Sequence, residues 1–277
     1  MSECYGDNFI MNGELIPCGM FNNSDVYEGD SLYEVLRMIG GVPLFINDHI
    51  DRLENSVSHH ARKMLAERGR IIRLIMQLRK SADVKDANLK IVFNYKEIGD
   101  KYLIYFIEPM YPSRAQYREG ISGILYHAER KDPEVKVINH SLRSSIYHRL
   151  ITGNAYEAFL VDNEGYITEG SRSNIFFVRE NRLYTAPDDK VLGGITRKFI
   201  LELCINNSIE VLKSSVKVEE MGSYESAFMS GTSPMVLPIK EIDGVRFNPE
   251  NGLIKKVSKL YTDKVLESIR SFRLPKE

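Results

Sequence analysis

Cysteine is scarce in this chain: three in 277 residues, at positions 4, 18 and 204, with no Cys-x-x-Cys pair. So few, so widely spaced, they argue against a zinc module or a disulfide scaffold and predict reduced thiols in a cytoplasmic protein. Charge of one sign is also lacking. Thirty-seven basic residues offset 38 acidic ones, leaving a net charge of −1 and no global field for nucleic acid or an anionic membrane. The longest stretch without Asp, Glu, Lys or Arg runs from Ser226 to Ile239 and contains Gly231, Pro234 and Pro238. A bilayer span needs about 20 apolar residues, so this stretch is too short. The beginning carries Glu3 and Asp7 and no basic start followed by an apolar run, so no signal peptide is expected. Asn-x-Ser triplets at Asn22 and Asn139 then carry no glycosylation meaning.

Several chemistries lack their motifs. The chain has no Gly-Lys-Ser/Thr phosphate loop, no Gly-x-Gly-x-x-Gly, no His-Glu-x-x-His and no Gly-x-Ser-x-Gly elbow. Ser214-Ser-Val-Lys217 fits the bare Ser-x-x-Lys pattern, which is too short to carry weight. His59-His60 sits beside Arg62 and Lys63 in a helical pattern and reads as a solvated face; no metal site is expected.

What is present supports a folded core: 43% hydrophobic and 27% charged residues. The length fits one large or two modest domains. Gly40-Gly41 marks a hairpin turn between LYEVLRM and VPLFI. Apolar residues recur every three to four positions from His49 to about Ser81, in two runs, which predicts helix. Asn88–Tyr95 and Lys101–Ile107, rich in β-branched and aromatic residues, predict strands. Residues 113–122 lie in a stretch with two prolines and few aliphatics and are read as a linker between an N-terminal domain (1–112) and a C-terminal domain (123–277). In the second half, strands are expected near 124–127, 157–161, 175–178, 182–185, 209–216 and 226–230. Helices are expected from Gly194 to about Asn207 and from Leu253 to Phe272. Frequent hairpin signals favour mixed sheets over a doubly wound parallel one.

Three segments stand out. Tyr166-Ile-Thr-Glu169-Gly-Ser-Arg-Ser-Asn174 delivers a glutamate to a Gly-Ser loop. Val191-Leu-Gly-Gly-Ile-Thr-Arg197 opens a helix, where exposed N–H groups and the Thr196 hydroxyl can receive an anion. Met229-Ser-Gly-Thr-Ser-Pro234 runs from a strand into a tight turn with further donors. Each has a plainer reading as a polar hairpin, a capped helix or an ordinary turn.

Taken together, "ITEGSRSNIF", "LGGITR" and "FMSGT", with "GDSLYEVLRMIGGVPLFINDHIDRL" earlier, resemble the class IV aminotransferases, the pyridoxal-phosphate enzymes of fold type IV. This family includes branched-chain aminotransferases, D-amino-acid transaminases and 4-amino-4-deoxychorismate lyases, and the resemblance runs from Glu28 to Gly244. It implies an α/β protein of two domains, mixed sheets with helices, and pyridoxal 5'-phosphate at the domain interface. It also implies a homodimer acting on an amino acid and a 2-oxo acid.

Carried over residue by residue, the resemblance implies that Lys136 carries the cofactor and moves the substrate's proton. Lys131 is a nearby alternative that lacks the following Asn139. Glu169 would pair with the cofactor's ring nitrogen. Arg52, Ser171, Ile195, Thr196 and Thr232 would hold the cofactor. Tyr33, Ser233 and Lys96 would face the substrate. Branched-chain members carry a tyrosine five residues after the lysine, where this chain has Ser141. That departure favours D-amino acids or a broad range. A lyase eliminating pyruvate to give p-aminobenzoate, and a catalytically silent cofactor-binding homologue, are the alternatives.

Overall fold

The computed structural model describes residues 2–82, 84–97, 99–129, 136 and 140–273, apart from the side chains of 140–143. The chain separates into two compact units. One comprises Met1–Met110, Val135–Ile138 and Val265–Glu277; the other comprises Tyr111–Glu134 and Asn139–Lys264.

The first unit is built on an antiparallel sheet. Its strands are β1 (Tyr5–Met11), β2 (Glu14–Pro17), β3 (Asp30–Ile39), β4 (Val42–Pro43), β5 (Ala87–Tyr95) and β6 (Lys101–Ile107), in the order β2-β1-β6-β5-β3-β4. The helices are α1 (Ser24–Tyr27), α2 (Ile46–His59) and α3 (Arg68–Ala82). Gly40 and Gly41 both take positive φ, 57° and 79°, as a two-residue hairpin between β3 and β4 requires. The helical pattern resolves into α2 and α3, with Ala61 at φ 51° in the break. His59 and His60 therefore close α2 instead of lying within a helix.

Strand alternation sorts the side chains onto two faces. One face packs Leu32, Leu36, Leu89, Ile91, Phe93 and Ile104 against Ile50, Leu53 and Val57 of α2 and Ile71, Ile75 and Leu78 of α3. The other gathers Phe9, Val26, Tyr33, Val92, Leu103 and Tyr105. With both faces covered, all nine residues of β5 are buried. Complete burial of each large aliphatic contributes roughly 1.5–3 kcal/mol.

The expectation of unpaired cysteines is corrected in this unit. The β1–β2 hairpin turns the chain back on its own beginning, and Cys4 and Cys18 are joined in a disulfide. Cys204 is a buried free thiol, its pKa raised by burial to about 11.

The second unit contains α4 (Arg114–Glu119), β7 (Ile121–His127), α5 (His140–Thr152), β8 (Glu157–Val161), β9 (Tyr166–Gly170), β10 (Asn174–Arg179) and β11 (Arg182–Thr185). It continues with α6 (Ile195–Asn206), β12 (Val211–Lys213), β13 (Val216–Lys217), β14 (Ser226–Gly231), β15 (Met235–Ile242) and β16 (Val245–Arg246). The last helix, α7 (Gly252–Ser271), ends among residues of the first unit. The sheet runs β12-β11-β10-β14-β15-β7-β8-β9-β13, with β16 on β15. The pairs β11–β12, β15–β7 and β7–β8 are parallel and the others antiparallel, so the sheet is mixed.

Three stretches differ from their reading in the sequence. Within 113–122, Ser113 and Gln116 form a capping box on α4, and Ile121 begins β7. The stretch 209–216 is two strands, not one: β12 joins β11 and β13 joins β9, with Ser214 and Ser215 between them. Strand β15 was hidden by Pro238, which demotes a run as a strand candidate.

Candidate active site

In the first unit, β4 pairs only with Met38 and Ile39, so it leaves the earlier part of β3 uncovered. There the Tyr33 N–H donates to the Lys136 carbonyl at 3.2 Å. The Lys136 ammonium lies 4.8 Å from the centroid of the Tyr33 ring, a cation–π distance. Lys131 and Asn139 lie outside the described residues.

The next residue, Glu34, points to the opposite face of β3, toward α2. Helical spacing places His49 and Arg52 side by side on α2, and both reach Glu34. Arg52 forks onto its carboxylate, Nε to Oε1 at 2.7 Å and Nη2 to Oε2 at 2.6 Å. His49 Nδ1 lies 2.8 Å from Oε2. Burial pushes the Glu34 carboxyl up, but the charge and hydrogen bonds of Arg52, with help from His49, hold it down at about 2. Burial lowers the His49 pKa, and the charges of Arg52 and Lys136 add to that effect against Glu34. Burial also acts against the Arg52 charge, but Glu34 overcomes it and raises the guanidinium pKa. At neutral pH the cluster is therefore a carboxylate, a guanidinium and a neutral imidazole. A bidentate pairing fixes the plane of the guanidinium.

Lys96 is placed differently. Its ammonium donates to the Ser24 carbonyl at 2.9 Å and lies 3.8 Å from Asp25 and from Glu28, where it caps the end of α1. Lys90 takes the position on the Tyr33 face. It is 1% exposed, and its ammonium lies 5.3 Å from the Tyr33 ring centroid. The sequence reading passed over Lys90 because a lysine in a predicted strand is ordinarily a solvated charge.

In the second unit, β9 carries Glu169 one residue before its end at Gly170; Glu169 is buried and accepts a hydrogen bond from the Leu192 N–H at 3.2 Å. Asn174, opening β10, donates to the Leu192 carbonyl at 2.9 Å. The loop before α6 is thus tied to Glu169 and to Asn174. Ser171 and Ser173 donate to the buried Glu157, at 2.6 and 2.9 Å, which shapes the Gly-Ser loop after Glu169. Neither Glu157 nor the tie through Asn174 was anticipated. Their signal is a carboxylate or amide inside a strand run that burial would otherwise forbid.

Helix α6 starts at Ile195 and Thr196 after Gly194. The Thr196 hydroxyl is buried and receives the Tyr261 hydroxyl at 3.3 Å. Asn174 and Ser230 are cross-strand partners on β10 and β14 and so share a face. Ser230 is buried and its Oγ has no hydrogen-bond partner among the described residues. Thr232 and Ser233 follow in the half-exposed turn between β14 and β15. N–H donors at the start of α6 and the hydroxyls of Thr196 and Thr232 are a donor set suited to a phosphate. Arg52, half-buried in its own unit, is a cation that also suits a phosphate. Within the second unit, that donor set fits a phosphorylated cofactor. Among the described residues no cluster of His, Cys, Asp and Glu could hold a metal ion.

Comparison with known proteins defines the class. Residues 31–242 match the family of amino-transferase class IV, and the chain belongs to that family, whose members use pyridoxal phosphate. Among its relatives is a D-alanine aminotransferase of Bacillus licheniformis, 25% identical over 253 residues, covering 85% of this chain and 88% of that protein. An aminodeoxychorismate lyase of Bacillus subtilis is 23% identical over 248 residues, covering 84% of each. In fold, the chain is similar to the branched-chain amino acid aminotransferase of Escherichia coli. The TM-score is 0.84 at 20% identity, over 94% of this chain and 95% of that one.

Proposed function

We propose that this protein transfers an amino group between an amino acid and a 2-oxo acid, with D-amino acids or a broad range as substrates. The observation that carries this reading is the Lys136 ammonium held 4.8 Å from the Tyr33 ring centroid. Tyr33 is followed in sequence by the carboxylate that grips Arg52. A lysine, a pocket aromatic and an oriented arginine thus occur in one unit.

When bound, pyridoxal phosphate supplies an electron sink for the carbanion formed at the substrate's α-carbon. The chain's own residues do the rest. Lys136 would hold the cofactor, and its Nζ is the group that would take and return the substrate's α-proton. Glu169, oriented by the Leu192 N–H, would pair with the ring nitrogen and favour its protonated form. Ile195 and Thr196 at the start of α6, with Thr232, would hold the phosphate, and Arg52 is the first unit's own candidate for that role. Ser171 shapes the loop beside Glu169, and Tyr33 and Ser233 border the substrate. Lys96, already committed to α1, contributes charge only at a distance. We propose further that the enzyme is a cytoplasmic homodimer of amino-acid metabolism.

The lyase reading is supported by the B. subtilis relative, whose identity is close to that of the D-alanine aminotransferase. One experiment separates the two. The purified protein is titrated spectrally with D-alanine, L-leucine and L-glutamate, alongside an assay for p-aminobenzoate release. A spectral response reversed by a 2-oxo acid is expected. Release of p-aminobenzoate with no response to any amino acid would overturn the transaminase reading. Borohydride reduction and peptide mapping should place the pyridoxyl adduct on Lys136; an adduct elsewhere would refute that residue's role.

A further inference from the structure

On the Tyr33 face of the first sheet, three donors converge on one carboxylate. Lys90 donates to both oxygens of Glu3, at 2.7 and 2.9 Å. Tyr27 and Tyr105 donate their hydroxyls to Oε2 of the same group, at 2.9 and 3.0 Å. The donors belong to the framework: Lys90 and Tyr105 are direct cross-strand partners on β5 and β6, and Tyr27 closes α1. Glu3 does not belong to it. It precedes β1, and its side chain is 24% exposed whereas that of Lys90 is 2% exposed. Lys90 and Tyr105 are buried and Tyr27 is partly buried, whereas Glu3 stays partly open to solvent.

The same Lys90 ammonium lies over the rings of Tyr27, Tyr33 and Tyr105, at 5.6, 5.3 and 5.8 Å from their centroids. Tyr33 is also the ring that Lys136 faces. A short dicarboxylic amino acid whose amine engaged Lys136 could therefore extend its second carboxylate past Tyr33 toward Lys90.

We infer that Lys90, Tyr27 and Tyr105 form a carboxylate receptor that the chain's own Glu3 fills, so that Glu3 selects against substrates bearing a second carboxylate. The inference rests on the reading of Lys136 as the cofactor-bearing lysine and Tyr33 as a wall of the substrate pocket. A tethered carboxylate competes at high effective concentration against a free one. Buried charge-assisted hydrogen bonds make that competition count. Burial opposes the Glu3 charge, but Lys90 and the two tyrosine hydroxyls hold its carboxyl below the usual range, so Glu3 occupies the receptor as an anion at neutral pH. Removing it takes one carboxylate from the buried Lys90 ammonium and from two tyrosine hydroxyls, which favours uptake of another.

The test is calorimetric titration of the cofactor-loaded protein with glutarate, a dicarboxylate without an amine. Glu3→Ala should bind glutarate about tenfold more tightly than wild type, the value of one charge-assisted hydrogen bond. Adding Lys90→Met to Glu3→Ala should cancel the gain. If that double variant does not fold, Tyr105→Phe in the Glu3→Ala background replaces it and should reduce the gain. The ratio of kcat/KM for glutamate to that for alanine should rise in Glu3→Ala by a similar factor. Equal glutarate affinity in wild type and Glu3→Ala, or a gain that survives loss of Lys90 or the Tyr105 hydroxyl, overturns the inference. A borohydride adduct away from Lys136 would instead overturn the underlying reading of the site, whatever the glutarate result.

Discussion

Glu34 shows how one buried carboxylate can govern both stability and binding. With its pKa at about 2 against an ordinary 4.5, its pairing with Arg52 is worth on the order of 3 kcal/mol at neutral pH. A depressed carboxyl stabilises above its unfolded value, and the contribution drains away as pH falls from 4.5 toward 2. His49, neutral and buried, adds an earlier loss, because the unfolded chain takes up its proton below about 6.5. Urea-unfolding midpoints should therefore fall in two stages on acidification, and His49→Gln should remove the first. Glu34→Gln should cost on the order of 3 kcal/mol, because breaking a buried pair leaves its partner uncompensated. It should also weaken cofactor binding by letting the Arg52 plane turn, which fluorescence titration would detect. Little of this was legible beforehand. Arg52 stood out by its resemblance to a phosphate ligand, but the carboxylate that aims it lay inside an apolar run. Only the alternation of LYEVL, which puts Glu34 among Leu32 and Leu36, hinted at a buried charge.

Among elements, the start of α6 is the most constrained. Gly194 has ordinary helical-entry dihedrals, φ −62° and ψ 134°, so its need for glycine is steric. A Cβ there would fall on Asn174 Oδ1, whereas one on Gly193 would meet nothing. Gly194→Ala should displace the Asn174 amide from the Leu192 carbonyl, and with it the loop that bonds Glu169. We expect cofactor affinity to fall about tenfold or more, in proportion to the loss of one or more buried hydrogen bonds, while Gly193→Ala stays near wild type. Equal behaviour of the two variants in cofactor titration would show that the close approach does not matter. The sequence placed this Gly-Gly at the opening of an anion-receiving helix but could not say which glycine was required, because the obstructing side chain comes from β10. Elements with strong periodicity, such as α6, α7, β5 and β6, were legible for the opposite reason: their burial pattern is written in consecutive residues. Strand β15 was not, since its partners β14 and β7 make it a strand in spite of Pro238.

For the whole molecule, the proposed homodimer makes a simple prediction. Light scattering at micromolar concentration should give twice the chain mass, and a fully active monomer would contradict it. No described helix is long and apolar enough to cross a membrane. Nothing in the sequence pointed to the return of residues 265–277 to the first unit. That return has a consequence for synthesis. Phe272, just past α7, packs against the same cluster as Ile50, Leu53 and Ile75. A chain emerging from the ribosome has β1 to β6 long before it has Phe272, and a nascent domain that lacks part of its packing exposes apolar surface. A fragment of residues 1–110 should accordingly bind a hydrophobic dye and resist protease poorly until a peptide spanning 252–277 is supplied. The order in which the ribosome delivers the chain is thus not the order in which its first half can finish folding.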